Sequence, residues 1–177
     1  STPEAYKQYI GSLKNSVLTA FYTPKPVVDI LAKTLKESGI EPMRFLEPSA
    51  GTGAFIEAFK EETLESRYMA FEKDLLTGKI LSHLYPDEYI RIEGYQKIEN
   101  RYSGYFDVIA SNIPFGDVAV FDPQLSNHKN PAVKQSTQAI HNYFFTKSVQ
   151  TVREGGIIAF ITSQGVLNAE HNKPVRE

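Results

Sequence analysis

From about residue 43 onward, short β-like runs alternate with helical stretches. That alternation confines the chain to an α/β fold built on a mostly parallel sheet. Residues 43–47 read as the first strand, followed by a glycine turn and a helix over 54–62. A second strand at 68–72 leads into a helix over 75–84 that stops before Pro86. Strands at 89–93, 106–111 and 156–162 follow, with a helix over 137–152 before the last. Ahead of the sheet, residues 26–36 show helical spacing, with Val27, Ile30, Leu31 and Leu35 as the apolar stripe. Pro24 and Pro26 stand at its start, where proline is tolerated. A chain of 177 residues suits a single domain, here a helical segment over 1–40 and an α/β core over 41–177.

Composition narrows the function classes. Hydrophobic residues at 41% with 23% charged describe a soluble globular chain, and no apolar run is long enough to span a bilayer. The absence of Cys removes disulfides, thiolate metal sites and cysteine nucleophiles. With no secretory signal pattern, that fits a cytoplasmic protein. His83, His128, His141 and His171 show no ligand spacing, so no metal site is expected. A net charge of −2 argues against a globally basic nucleic-acid binder, so any grip on phosphates needs a local patch. Lys129, Lys134 and Lys147 are the nearest candidates, and solvated surface lysines are the simpler reading of them. Both chain ends read as those of a fragment or a processed chain.

Four elements stand in an order that suits a cofactor and a flat substrate. Glu47-Pro48-Ser49-Ala50-Gly51-Thr52-Gly53 joins the first strand to its helix, and its glycines let the backbone lie against a ligand beside a helix N-terminus. Ile56 occupies the third glycine position of the dinucleotide fingerprint, which weakens a pyrophosphate reading. Such a turn can also bind nothing. Glu72 ends the second strand about 20 residues on, where an acid can hold a ribose diol. Lys73 follows it, and Asp74 reads as a helix cap. Phe21-Tyr22-Thr23-Pro24 precedes the first helix, and Thr23 taken alone reads as a cap of that helix. Asn112-Ile113-Pro114-Phe115 follows the fourth strand, offering an amide acceptor, a rigid proline and a stacking face. The stretch 116–138 carries little periodicity and reads either as a mobile cover over a site or as a disordered surface loop.

Together these elements resemble the N6-adenine DNA methyltransferases that use S-adenosylmethionine. The run Asn112 to Gly116, with His141-Asn142-Tyr143-Phe144-Phe145 and the stretch Gly155 to Ser163, is similar to a subgroup. That subgroup is the methylase domain of large methylase–helicase proteins of conjugative elements and phages. The resemblance implies a Rossmann-like class I methyltransferase fold; in this sequence the sheet reads as stopping after its fifth strand, with no target-recognition region following. It implies S-adenosylmethionine as cofactor, adenine-containing DNA as substrate, further domains of a larger polypeptide as partners, and neither metal nor membrane. By position, Thr23, Glu47, Pro48, Ser49, Ala50, Gly51, Gly53, Phe55, Glu72 and Lys73 would hold the cofactor, with Glu47 near its amino group and Glu72 on its ribose. Asn112 and the Ile113 carbonyl would accept the two N6–H bonds, Phe115 would stack on the base, and Asn112 and Pro114 belong to the same catalytic set. Asn112 also borders the cofactor.

Three departures stand out. Glu47 replaces the commoner Asp, Ile113 stands where the family has proline, and Glu93-Gly94 lacks the Asp often found near the cofactor's adenine. A cytosine-C5 enzyme is excluded because it needs a Cys nucleophile. Two rivals are a glutamine-N5 protein methyltransferase, which holds a planar amide with a similar element, and a non-catalytic cofactor- or DNA-binding module.

Overall fold

The computed structural model describes residues 23–62 and 66–163, with Thr2 and Glu4. Phe21, Tyr22 and His171 lie outside the described residues. The chain falls into two compact units, Ser1–Tyr95 and Gln96–Glu177. The sheet has five strands in the order β3-β2-β1-β4-β5, the α/β architecture expected from the alternation.

The first unit contains α1 (Lys25–Glu37), β1 (Arg44–Glu47), α2 (Ala54–Glu62), β2 (Arg67–Phe71), α3 (Leu75–Leu84) and β3 (Tyr89–Arg91). β1 pairs parallel with β2, and β2 with β3. Both strands of the first pair are buried along most of their length, as near-continuous apolar runs require. Phe45 anchors this core, with ring centroids 4.6 Å from Phe59 and 5.2 Å from Tyr68. α2 contributes Phe55, Ile56, Ala58 and Phe59 to the interior.

α1 buries a different stripe from the one its periodicity suggested. Val28, Ala32 and Leu35 are the buried residues, whereas Val27 is 50% and Ile30 66% exposed. Spacing by four then three defines a face one position away from the Val27–Ile30–Leu31 frame. Alanine carries too little hydrophobic weight to reveal that face from sequence. Pro24, rather than Thr23, occupies the N-cap position. Asp74, by contrast, does cap α3, accepting from the Thr77 amide at 2.8 Å.

The second unit contains β4 (Phe106–Asn112), α4 (Pro123–Ser126), α5 (Pro131–Ser136), α6 (Ile140–Thr151) and β5 (Val152–Ile161). β4 and β5 run parallel, with an irregularity after Phe106: Phe106 pairs with Val152, but Val108 pairs with Ile157. The strand expected from Gly156 onward is the regular part of β5. The stretch 116–138 is built rather than loose. Asp122 caps α4 through the Gln124 amide at 2.9 Å, and Asn130 caps α5 through the Ala132 amide at 2.9 Å. Proline follows each cap at the first helical position, a pre-organised start for helices too short for periodicity to show.

Lys147 corrects the sequence reading most sharply. It is only 4% exposed, and its Nζ lies 3.0 Å from Oδ2 of Asp122, itself 3% exposed. The Tyr143 hydroxyl donates to the same oxygen at 2.8 Å. Lys147 is neither solvated nor available to a phosphate. Burial alone would raise the Asp122 carboxyl, but the Lys147 and Tyr143 hydrogen bonds hold it below the usual carboxylate range. The pair ties the α4 start to α6.

Candidate active site

In the first unit, the carboxyl ends of β1 and β2 converge on the glycine turn. Glu72 follows β2 and uses both carboxylate oxygens: Oε2 accepts from the Gly51 amide at 2.8 Å and Oε1 from the Asp74 amide at 2.7 Å. The Ala50 amide donates to the Phe71 carbonyl at 2.9 Å. The turn is thereby held to the end of β2 at two successive residues. With the Lys73 amide these bonds still leave spare acceptor capacity on the Glu72 oxygens.

The two glycines of the turn do different work. Gly51 has φ +55°, and a Cβ built there meets nothing within 4 Å. Gly53 has φ +88°, and its Cβ would fall 2.6 Å from the Tyr85 ring and 2.8 Å from Leu81. Tyr85 also points its hydroxyl at the Gly53 carbonyl, at 3.3 Å. Gly53 is therefore a packing glycine, and Gly51 is the one that leaves a cradle open. Tyr85 escaped sequence reading because it is a lone aromatic before a proline, 32 residues from its partner. We expect Gly53→Ala to lower the thermal midpoint most, through strain plus overpacking of about 1–3 kcal/mol. Gly51→Ala should cost about 1–2 kcal/mol for the left-handed conformation and chiefly weaken cofactor binding, both measured by melting with and without S-adenosylmethionine.

Glu47 is the most buried carboxyl of the turn, at 1% exposure. Its Oε2 accepts from the Ile56 amide at 3.3 Å, so it addresses the α2 N-terminus. Burial pushes its carboxyl well above the usual range, against the lowering effect of the Ile56 and Phe55 amides; nearby Glu72 adds to the rise. Glu72 is raised too, again mainly by burial. Between the ordinary and the folded value, the folded chain binds more protons than the unfolded one. Stability is thus fully present below pH 4.5, the ordinary value, and declines as pH rises through the folded value. Glu47→Gln removes part of that decline. The variant should melt a few degrees higher at mildly alkaline pH, for a gain of about 1 kcal/mol, with a flatter stability–pH curve; an unchanged curve refutes this.

Of the other residues assigned by resemblance, Pro48 and Ala50 are buried, and Ser49 is half-buried. Phe55 is fully buried, so its ring belongs to the core and only its backbone faces the turn. Thr23 is half-buried, and Lys73 is exposed beside Glu72.

In the second unit, Asn112 is the last residue of β4, paired with Ile161 of β5. The next residue explains a departure from the family pattern. Ile113 is 1% exposed, and its amide donates to the Ile161 carbonyl at 3.1 Å. Proline has no such donor. The sheet ladder thus holds at Ile113 the backbone that a proline ring would otherwise restrain. Pro114 is half-buried and Phe115 is 42% exposed. Gly116 closes the element: its amide donates to Nδ1 of buried His141 at 3.4 Å, and its carbonyl accepts from the Ile140 amide at 3.3 Å. His141 therefore bears its proton on Nε2 in this arrangement. The His141 motif was visible in sequence, but its task was not. Among the described residues, no cluster could hold a metal ion and no helix is long and apolar enough to cross a membrane.

Residues 55–177 match the family model of the Eco57I restriction-modification methylases. The Defense against restriction protein B of Escherichia phage P1 is 26% identical over 167 residues, which make up 94% of this chain and 7% of that protein. A modification subunit of a type I restriction enzyme from Vibrio vulnificus YJ016 aligns with a TM-score of 0.72 at 18% identity, over 97% of this chain and 40% of that one. A class I S-adenosylmethionine-dependent methyltransferase from Listeria monocytogenes aligns with a TM-score of 0.66 at 15% identity, over 86% of this chain and 50% of that one. The chain spans half or less of each of these proteins. The two solved structures speak for the fold, which is that of the class I methyltransferases. Because the family model covers well over half of the sequence, the chain belongs to the Eco57I restriction-modification methylase family.

Proposed function

We propose that the chain carries the catalytic portion of an S-adenosylmethionine-dependent methyltransferase acting on the N6 amino group of adenine in DNA. The observation that carries this reading is the Asn112–Phe115 element at the carboxyl end of β4, held by the Ile113–Ile161 bond, in a restriction-modification methylase. The cofactor reading is supported by the open cradle at Gly51 and by a Glu72 carboxylate with acceptor capacity left for a diol. When bound, the cofactor supplies a methyl group already activated by its sulfonium. Gly51 and Glu72 bind and orient; no strong base is required of them.

The substrate-side residues meet a harder demand. An aromatic amino nitrogen is a poor nucleophile because its lone pair is delocalised into the ring. The Asn112 carbonyl and the Ile113 carbonyl would accept its two N–H bonds and favour a pyramidal nitrogen. The same dipoles would stabilise positive charge developing there. Phe115 offers a stacking face that offsets part of the few kcal/mol needed to take a base out of the duplex. Catalysis is then mainly positioning.

The test uses methyl-labelled S-adenosylmethionine with adenine-containing DNA, with the same DNA carrying purine in place of adenine, and with a glutamine-containing protein substrate. Label recovered as N6-methyladenine supports the reading. Label recovered only on glutamine would replace it with the protein-methylating alternative, and binding without transfer would leave a non-catalytic module. These 177 residues alone should show little or no transfer to DNA; robust sequence-specific methylation refutes that expectation.

A further inference from the structure

We propose that the segment 117–138 of the second unit is the surface that meets the DNA strand beside the target base. In this assignment Phe121 stacks on a nucleobase, and Lys129 and Lys134 face phosphates. The proposal rests on the reading that DNA is the substrate. Its starting point is a contrast between adjacent residues. Phe121 is 79% exposed and Val118 60%, whereas Asp122 is 3% exposed and held by Tyr143, Lys147 and the Gln124 amide. An exposed ring on a pinned backbone loses little freedom on meeting a partner, which suits it to recognition. The pinning continues on the other side, where the Val120 amide donates to the Thr137 carbonyl at 2.8 Å. Thr137 in turn bonds the Lys134 carbonyl through its hydroxyl, at 2.8 Å. The backbone beside Phe121 therefore lies alongside the turn that carries Lys134.

Charge selects the occupant. The segment carries one exposed acid, Asp117 at its very start; from Val118 to Thr151 the sole acid is Asp122, which is buried against Lys147. The exposed lysines of that stretch are Lys129 and Lys134, and neither forms an ion pair among the described residues. In a chain of net charge −2, this is a local cationic surface next to an exposed aromatic ring. Flat bases on a polyanionic backbone match both features: stacking suits the ring and phosphates suit the lysines.

Anisotropy titrations of the full chain against a labelled adenine-containing duplex, and against one strand of it, over a salt series test the proposal. Phe121→Ala should weaken binding by about 5- to 150-fold, the share of one stacked base. Lys129→Ala combined with Lys134→Ala should lower the slope of log affinity against log salt by about 2. Melting midpoints and S-adenosylmethionine affinity should not move in either variant, since these side chains are exposed and lie outside the residues assigned to the cofactor. Unaltered DNA binding in both variants overturns the proposal. So does a parent chain that binds no DNA, in which case the surface meets a protein partner. Failure of the adenine reading looks different: DNA binding that depends on Phe121, with no label reaching adenine.

Discussion

Asn112→Ala is expected to cut methyl transfer to DNA adenine by about 10²- to 10³-fold, the usual consequence of removing one preorganised polar contact to developing charge. S-adenosylmethionine affinity, measured by calorimetry, should stay within about threefold. The asymmetry follows from the roles proposed: the Asn112 carbonyl meets the base, whereas the Gly51 turn and the Glu72 carboxylate, tied by the Gly51 amide, carry the cofactor. The backbone of the element should survive, because the neighbouring Ile113–Ile161 bond does not involve the Asn112 side chain. A parallel fall in cofactor affinity would remove Asn112 from the base and return it to the cofactor set. Asn112→Asp is the informative companion: it keeps an acceptor but adds charge, and should retain more transfer than the alanine variant.

Lys147→Met is expected to destabilise the chain by about 3–5 kcal/mol, because it strands the Asp122 carboxylate in a buried setting. Chemical denaturation gives the measurement. Asp122 also caps α4 and accepts from Tyr143, so one lost ammonium disturbs the start of the whole 117–138 segment. Adding Asp122→Asn to Lys147→Met should recover most of the loss. A neutral amide still accepts from the Gln124 and Leu125 amides and no longer needs a counter-charge. If the double variant is as unstable as the single one, buried charge is not the cause and packing around Lys147 is. The expected pH response of the parent pair has a definite sign. The folded Asp122 carboxyl lies below its ordinary value of 3.8, so its contribution is present above that value and lost as pH falls through the folded one.

Much of the fold is readable from local pattern. α2 and α3 cover the spans where periodicity places them, α2 through its amphipathic pattern and α3 between the Asp74 cap and Pro86. The strands are found within a residue or two, except at β5, where an irregularity lets pairing begin at Val152 ahead of the apolar run. The failures share a cause. The α1 stripe, the order within 116–138 and the burial of Lys147 all depend on what lies opposite in space. A lysine in a polar helix looks solvated until its carboxylate, 25 residues upstream, is placed beside it.

The sequence alone determined the α/β class, the place of the glycine turn after β1, and the standing of Asn112 to Phe115 after β4. Each is a matter of spacing along one chain, and spacing needs no tertiary knowledge. Tertiary structure alone decided which glycine leaves an open cradle and which one packs, because both have positive φ and only Tyr85 and Leu81 distinguish them. It also decided how Ile113 serves where proline is customary. That residue is held by a hydrogen bond to Ile161, a partner 48 positions away that only sheet pairing brings within reach.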